Sequence, residues 1–278
     1  RIPANTPSAG GHACGIAGGQ AAARPYGEAE RFLQTADASG LSKLSPYKLA
    51  SDSLDEPMKL YDLSQPLYEG TSRMFNMPSP TIATLPAGRA HVQQITSLSH
   101  IGTHVDAPLH VIPTGASLDQ LRLEQFVGPA AVVDVRTAAV EAISAADLER
   151  GAGALREGDI ALLCTGWAAK FGTPEYDPHP YLVEESARWL VRRGVRMVAL
   201  DTLTPDLPGP LRPASGYQGV VHQTLLGNGV LILENLADVT ALIGRRLWVV
   251  AAPINIRGGD GGFVRVIATE IDAIKLID

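Results

Sequence analysis

Short apolar runs separated by turn-forming residues make up most of the chain, and this pattern predicts a sheet. Each run is rich in aliphatic or β-branched residues and is short enough to be a buried strand. A less apolar patterned segment, KLYDLSQPL, follows Met58 directly. The predicted buried strands are residues 130–136, 159–165, 197–202, 229–235 and 247–253.

Two segments between these runs have helical periodicity instead. Residues 144–151 fit a helix, and residues 183–194 fit one better because Ala187, Leu190 and Val191 form an apolar face with 3.6-residue spacing. The glycine at the end of the second segment supplies a helix stop. Strands combined with a few helices predict a β-rich α/β or α+β domain.

Residues 1–57 differ from the rest of the chain because Gly, Ala, Ser and Pro dominate them. This composition favours an N-terminal extension or arm, with the compact domain at residues 58–278. An alternative is that residues 26–38 form a helix that packs on the domain or on a neighbouring subunit.

Composition and charge exclude several classes of function. The formal net charge of −6 leaves no basic surface for phosphates, so we expect a small-molecule substrate and no nucleic-acid partner. The sequence has neither a run of ~20 apolar residues that would cross a bilayer nor the apolar core of a secretory signal. Cys14 and Cys164 stand far apart without metal-site spacing, which predicts a reducing, cytoplasmic setting.

Candidate chemistry is concentrated in SHIGTHVDAPLH, residues 99–110. His100, His104, Asp106 and His110 all occupy even positions, so an extended segment would place them on one face. In a helix Asp106 would be rotated about 240° from His100, and the proline within the segment would oppose continuation. We therefore predict an extended segment. The alternative is a group of core or surface histidines that binds nothing.

Imidazole nitrogens with a carboxylate oxygen are a ligand set that Zn²⁺ or Mn²⁺ accepts. Two histidines and one aspartate leave coordination positions open for water, which is typical of a catalytic site and not of a structural one. His110 lies further along the segment. Its unperturbed pKa of ~6.5 suits a general acid or base near neutral pH.

The string HIGTHVDAPLH matches H-x-G-T-H-x-D-x-P-x-H at every fixed position. The chain thereby resembles the cyclase-like metal-dependent hydrolase family, which includes bacterial kynurenine formamidases and isatin hydrolases. Further blocks that resemble the family occur within residues 58–278: DLSQPL, TGW, HPYL, LDTLTPD and VHQTLLGNGVLILENL. The resemblance implies a swivelling β/β/α fold and a homodimer or homotetramer.

The resemblance also implies roles for individual residues. His110 matches the family's proton-transfer residue, and Asp106 matches a ligand that is able to bridge two ions. One or two ions per chain, Zn²⁺ or Mn²⁺, are implied. The metal ligands that match are His100, His104, Asp106, His222 and Glu234.

Several other residues have two interpretations each. Phe75 stands near the place where relatives with aryl substrates have tryptophan, but it is equally an ordinary packed residue. Trp167 is either a pocket wall or a core tryptophan. His179, in the loop DPHPY, is expected to be exposed, and Asp201 is expected to cap a turn. Cys164 lies in an apolar strand, so we expect no cysteine nucleophile.

The leading hypothesis is a metal-dependent hydrolase of a C–N bond in an aryl formamide, amide, lactam or cyclic imide, acting through a metal-activated water. One alternative is a metal-dependent cyclase or dehydratase of a polyketide-like chain. Another is a non-catalytic relative that binds a metal or ligand.

Overall fold

The computed structural model describes residues 58–74, 77–214, 216 and 218–271. The N-terminal extension, the helix considered for residues 26–38, and both Cys14 and Phe75 lie outside the described residues. The predictions that concern them therefore stay predictions.

The described residues form thirteen strands and three α-helices, with short 3₁₀ turns between them. The strands are β1 (Tyr61–Asp62), β2 (Thr81–Ala87), β3 (Ala90–Thr96), β4 (His104–Asp106), β5 (Val127–Asp134), β6 (Ala142–Ile143), β7 (Ile160–Cys164), β8 (Tyr181–Leu182), β9 (Met197–Leu200), β10 (Leu231–Glu234), β11 (Arg246–Val250), β12 (Gly261–Phe263) and β13 (Ile267–Glu270). The helices are α1 (Ala145–Gly151), α2 (Glu184–Arg192) and α3 (Val220–Gly227).

Nine of these strands form one mixed sheet in the order β1-β13-β11-β5-β7-β9-β10-β4-β12. The four central strands, β5, β7, β9 and β10, run parallel. The strands on either side of this group pair antiparallel. Parallel neighbours end at the same edge of a sheet, so the residues that follow β7, β9 and β10 meet there. Because β4 is antiparallel to β10, its first residue lies at that same edge.

Both faces of the central sheet are covered, because alternate residues of a strand enter different cores. Along β7, Ile160, Leu162 and Cys164 belong to one buried cluster, whereas Ala161 and Leu163 belong to the other. All three helices contribute side chains to the second cluster. Burial on both faces explains why the central strands read as continuous apolar runs.

The prediction of a strand-rich α/β fold is confirmed. The predicted buried strands, and the helices predicted at residues 144–151 and 183–194, are present with shifted ends. The sequence interpretation missed α3 and the β2–β3 hairpin, whose residues are almost all exposed. An exposed ribbon has no buried face to impose an alternating pattern, which is why its signal is weak. Among the helices described, none has the length and apolar character needed to cross a membrane.

Candidate metal centre

Strand register brings the first pair of candidate ligands together. His104 is the direct antiparallel partner of Glu234, and Asp106 pairs with Ile232 two positions along. Cross-strand partners project to the same face, and so do alternate residues of one strand. His104, Asp106 and Glu234 therefore share a face of the sheet, at the edge where β10 ends.

Two imidazoles and two carboxylates converge there. His104 Nε2 lies 3.3 Å from Asp106 Oδ1 and 3.3 Å from Glu234 Oε2. His222 Nε2 lies 3.4 Å from Asp106 Oδ2 and 3.3 Å from Glu234 Oε1. Each carboxylate thus faces both imidazoles, with one oxygen toward each. All four residues are buried.

The donor atoms fit a metal ion. Three of them, His104 Nε2, Asp106 Oδ2 and Glu234 Oε1, are buried without a hydrogen-bond partner. Leaving a buried polar atom unpaired costs ~1–3 kcal/mol, so three converging orphans require a further group between them. Two nitrogen and two carboxylate donors are a set that Zn²⁺ and Mn²⁺ accept.

Partners on the far side of each ring fix which nitrogen faces the centre. His104 Nδ1 lies 2.8 Å from the Gly102 carbonyl, which only accepts hydrogen bonds, so Nδ1 carries a proton and, in the neutral ring, Nε2 keeps its lone pair. His222 Nδ1 donates to the Asp206 carboxylate. Hydrogen bonds of this kind orient metal-ligating histidines and increase their basicity.

The carboxylate of Asp206 also places His222 along the chain. It accepts the backbone N–H groups of Val221 (3.0 Å) and His222 (3.1 Å) at the start of α3. Gly219, with φ +63°, turns the chain into the helix. Asp206 thus caps the helix and also orients the His222 ring, and sequence reasoning missed it although the block LDTLTPD was noted.

Asn235 fixes the end of β10 directly after Glu234. Its backbone is in the left-handed region with φ +60°, where Asn is enriched among non-glycine residues. Its Nδ2 donates to the Gly102 carbonyl at 3.0 Å, and its own carbonyl accepts the Thr103 hydroxyl at 2.7 Å. Asn235 therefore ties the end of β10 to the turn before β4, and the predicted strand ends one residue earlier than expected.

The prediction that His100, His104, Asp106 and His110 lie on one face of an extended segment is wrong for His100 and His110. Only His104–Asp106 is a strand. His100 precedes a turn that passes through Gly102 at φ +68°, and His110 ends a 3₁₀ turn, Pro108–His110. Proline suits the first position of a helical turn because its φ is fixed. The four side chains still converge, but through turn geometry and not through a two-residue period.

His100 lies between two carboxylates and beside His110. Its Nδ1 is 2.7 Å from Asp106 Oδ1, and its Nε2 is 2.9 Å from Asp260 Oδ2. The rings of His100 and His110 are 3.9 Å apart, centroid to centroid, and the rings of His110 and His222 are 5.5 Å apart. Asp260 is a second residue of the site that sequence reasoning missed, since the glycine-rich segment around it gave no signal.

The electrostatics separate His110 from the other histidines. Burial opposes a charge on His100, but its hydrogen bonds to carboxylates outweigh burial and raise its pKa to about 9. The same balance raises the pKa of His104 and His222. Burial also opposes a charge on Asp106, yet the surrounding histidines hold its pKa well below the usual range. For His110, burial prevails and lowers the pKa, which favours the neutral form near neutral pH.

A cleft of about 200 Å³ opens onto these residues. Its walls combine apolar side chains with the polar groups of the centre and with one arginine. The lining residues include Met74, Met77, Val111, Leu203, Arg212 and Gln218, together with His100, His110, His222 and Glu234.

Trp167 packs in a separate buried cluster with Tyr176 and is only 4% exposed. Its indole N–H donates to the Tyr176 carbonyl at 2.9 Å. Among the described residues that line the cleft Trp167 is not found, but Met74 and Leu203 of the same cluster are. Both interpretations of Trp167, as a core residue and as a substrate contact, therefore stay predictions.

The expected exposure of His179 is wrong, because the residue is 0% exposed. Its Nδ1–H donates to the Pro180 carbonyl at 2.7 Å, and burial lowers its pKa to about 4. Asp201 does cap a turn: its carboxylate accepts the backbone N–H of Thr165 at 2.9 Å and of Gly166 at 2.9 Å. Burial raises the pKa of the Cys164 thiol to about 11, which makes it a poor nucleophile.

Comparison with known proteins gives the family. The chain matches the family model described as putative cyclase over residues 61–207. The kynurenine formamidase of Salinibacter ruber is 32% identical over 169 residues, which cover 61% of this chain and 75% of that protein.

Solved structures agree on the fold. A predicted metal-dependent hydrolase from Bacillus stearothermophilus is 29% identical and superposes with a TM-score of 0.63 over 77% of this chain and 98% of that chain. Isatin hydrolase A from Labrenzia aggregata, at 24% identity, shares the fold with a TM-score of 0.67 over 77% of this chain and 94% of that chain.

The residues matched by the family model contain the segment from His100 to His110 and also Asp206. His222 and Glu234 lie beyond the matched residues and join the site through the contacts described above. Because the match spans more than half of the sequence and includes its histidine motif, this protein belongs to the putative cyclase family.

Proposed function

We propose that this protein hydrolyses the C–N bond of an amide or formamide other than a peptide, with a divalent metal held at the centre described above. The observation that carries the proposal is the convergence of three unpaired buried atoms, His104 Nε2, Asp106 Oδ2 and Glu234 Oε1, beside a cleft. The kynurenine formamidase of Salinibacter ruber, similar in sequence, supports this reaction class.

His104 and His222 would hold the metal through Nε2, and Asp106 and Glu234 through their carboxylate oxygens. His100 Nδ1, which faces Asp106 Oδ1 at 2.7 Å, adds a further nitrogen donor. A bound Zn²⁺ or Mn²⁺ supplies Lewis-acid chemistry and lowers the pKa of a water towards ~7.

His110 is the group that would move the proton. Its neutral imidazole accepts a proton from the attacking water, whose oxygen bonds to the carbonyl carbon of the substrate. The C–N bond then breaks, and His110 returns the proton to the leaving nitrogen. Proton transfer of this kind contributes ~10²–10⁴-fold to the rate.

The cleft walls indicate the kind of substrate. Met74, Met77 and Leu203 offer apolar contact to an aryl or alkyl body, and methionine adapts to irregular shapes. The polar groups lie around the histidines. A small molecule with an apolar body and one reactive acyl group fits this arrangement.

A substrate panel tests the proposal. N-formylkynurenine, isatin and a simple cyclic imide are each supplied to protein loaded with Zn²⁺ or Mn²⁺, and metal content is measured on the same sample. We expect turnover of at least one C–N substrate, loss of turnover with a chelator, and recovery when metal is returned. Full activity without metal would reject the proposal. Metal binding without any turnover on the panel would favour the cyclase or dehydratase alternative.

A further inference from the structure

We propose that Asp260 is a positioning residue that orients His100 toward the metal centre. The inference rests on the proposed function only in assigning a metal to the centre. It concerns metal affinity, which is measured without any substrate.

Asp260 contacts His100 directly and lies near His110, through the same oxygen. Its Oδ2 lies 2.9 Å from His100 Nε2 and 3.9 Å from His110 Nδ1. Its Oδ1 accepts the Ser99 hydroxyl at 2.9 Å, which fixes the plane of the carboxylate. Ser99, which directly precedes the histidine motif, thus holds the Asp260 carboxylate in place beside His100.

The backbone fixes Asp260 as firmly as the side chain does. Its carbonyl accepts the N–H of Ala107 at 2.9 Å, and the next residue, Gly261, pairs with Asp106 where β12 joins β4. The position of Asp260 is therefore set by the same sheet pairing that places the ligand Asp106.

Gly261 brings this backbone against the ring of His100. A Cβ at Gly261 would lie 2.6 Å from His100 Cε1 and 2.8 Å from the carbonyl oxygen of Val105, distances that only a glycine avoids. The centroid of the His110 ring lies 3.9 Å from the centroid of the His100 ring. His100 is thus held by the β12 backbone, by a neighbouring ring and by the Asp260 carboxylate.

The role of Asp260 follows from the proton on His100. When His100 Nδ1 gives its lone pair to a metal, the ring proton has to reside on Nε2 and needs an acceptor there. Asp260 Oδ2 is that acceptor. The Gly102 carbonyl serves His104 in the same way and Asp206 serves His222, so Asp260 completes the set of outer partners for the three histidines.

The test compares metal affinity in four full-length proteins: wild type, Asp260→Ala, Asp260→Asn and the control Asp238→Ala, which makes the same change at an exposed position outside the cleft. The dissociation constant for Zn²⁺ is measured by competition with a chromogenic chelator. We expect Asp260→Ala to weaken binding about 10–100-fold, as loss of an outer hydrogen-bond partner does. Asp260→Asn retains an oxygen that accepts the Nε2 proton, so it should restore most of the affinity.

A spectroscopic readout separates orientation from general damage. In metal-loaded wild type, ¹⁵N NMR of the histidine rings should show His100 protonated at Nε2, and this signal should broaden or disappear in Asp260→Ala. Circular dichroism and thermal unfolding check that each variant folds. If Asp260→Ala does not fold, Ser99→Ala carries the comparison and should show an intermediate loss, while Asp260→Asn should stay close to wild type.

Zinc affinity in Asp260→Ala within twofold of wild type, with the His100 signal unchanged, would overturn the inference. So would a loss that Asp260→Asn fails to restore. Because the measurement uses no substrate, failure of the proposed hydrolase activity leaves it unaffected. If Asp260→Ala weakens zinc binding as expected but the wild-type protein cleaves no C–N bond, only the proposed function is contradicted.

Discussion

His104 and Glu234 face each other across two antiparallel strands, with Nε2 of one 3.3 Å from Oε2 of the other. The sheet register makes this contact, since a shift of one residue would turn Glu234 to the opposite face. Strand pairing in the nine-stranded sheet therefore brings the histidine motif next to the carboxylate of Glu234, from a distant part of the chain. Predictions about the centre can be tested through this pair.

Replacing Glu234 with Gln should weaken metal binding without unfolding the sheet. The change keeps the shape of the side chain but removes the charge, and it puts an amide beside His222 Nε2. We expect a loss larger than the ~10–100-fold that an outer partner costs. Metal content by mass spectrometry and far-UV circular dichroism measure the two effects. Glu185→Gln, at an exposed position on α2, is the matched control.

Replacing His110 with Ala should leave the metal bound and remove the proton carrier. We expect turnover to fall ~10²–10⁴-fold, with zinc affinity close to wild type. Steady-state kinetics and chelator competition on one preparation measure both. His91→Ala, an exposed histidine on β3, controls for loss of an imidazole. Loss of the metal in His110→Ala would make His110 a ligand and would contradict its role as acid and base.

Stability should fall as the pH drops from about 6.5 to about 4 because His179 is buried in its neutral form. Its pKa lies below the unfolded value of 6.5, at about 4, so within this window the unfolded chain binds a proton that the folded chain does not. The contribution is complete above pH 6.5 and is lost as the pH falls through the window, by up to roughly 3 kcal/mol.

Urea unfolding at several pH values checks the role of His179. The variant His179→Asn retains a donor for the Pro180 carbonyl but does not titrate. The difference in unfolding free energy between wild type and variant should therefore shrink toward low pH. A difference that stays constant from pH 7 to pH 4 would show that His179 does not cause the dependence.

Asn235 should be sensitive to substitution because it combines a left-handed backbone with buried hydrogen bonds. Asn235→Ala removes the amide that donates to the Gly102 carbonyl. It also leaves alanine, whose side chain makes no hydrogen bond, in the left-handed backbone conformation at φ +60°. We expect a loss of ~1–3 kcal/mol. Asn235→Gly keeps the backbone freedom and loses only the side chain. If both variants unfold at the same urea concentration, backbone conformation contributes nothing measurable.

Trp167→Phe distinguishes the core interpretation of this residue from the pocket interpretation. The change leaves the Tyr176 carbonyl without its indole donor, at a cost of ~1–3 kcal/mol. We expect lower thermal stability with kcat/KM within twofold of wild type. A KM that rises severalfold with stability unchanged would assign Trp167 to substrate contact instead.

The apolar runs from residue 130 onward predicted the central strands because those strands are buried on both faces. The histidine motif was visible in the sequence because its three histidines and its aspartate lie within one short segment. Helix α3 was missed because its buried residues, Val221, His222, Leu225 and Leu226, include a histidine, which makes the apolar face less regular. The resemblance to known proteins, and not the spacing, pointed to His222 and Glu234.

The amino-acid sequence by itself determined the strand-rich fold class, the cluster of His100, His104, Asp106 and His110, and the inert character of Cys164. The tertiary structure alone decided how these residues meet. The register between β4 and β10 places Glu234 opposite His104. The left-handed backbone at Gly102 and Asn235 makes the turns directly before His104 and directly after Glu234. Asp206 and Asp260 entered as partners of histidines far away in sequence, because hydrogen bonds between distant segments leave no periodic trace in either one.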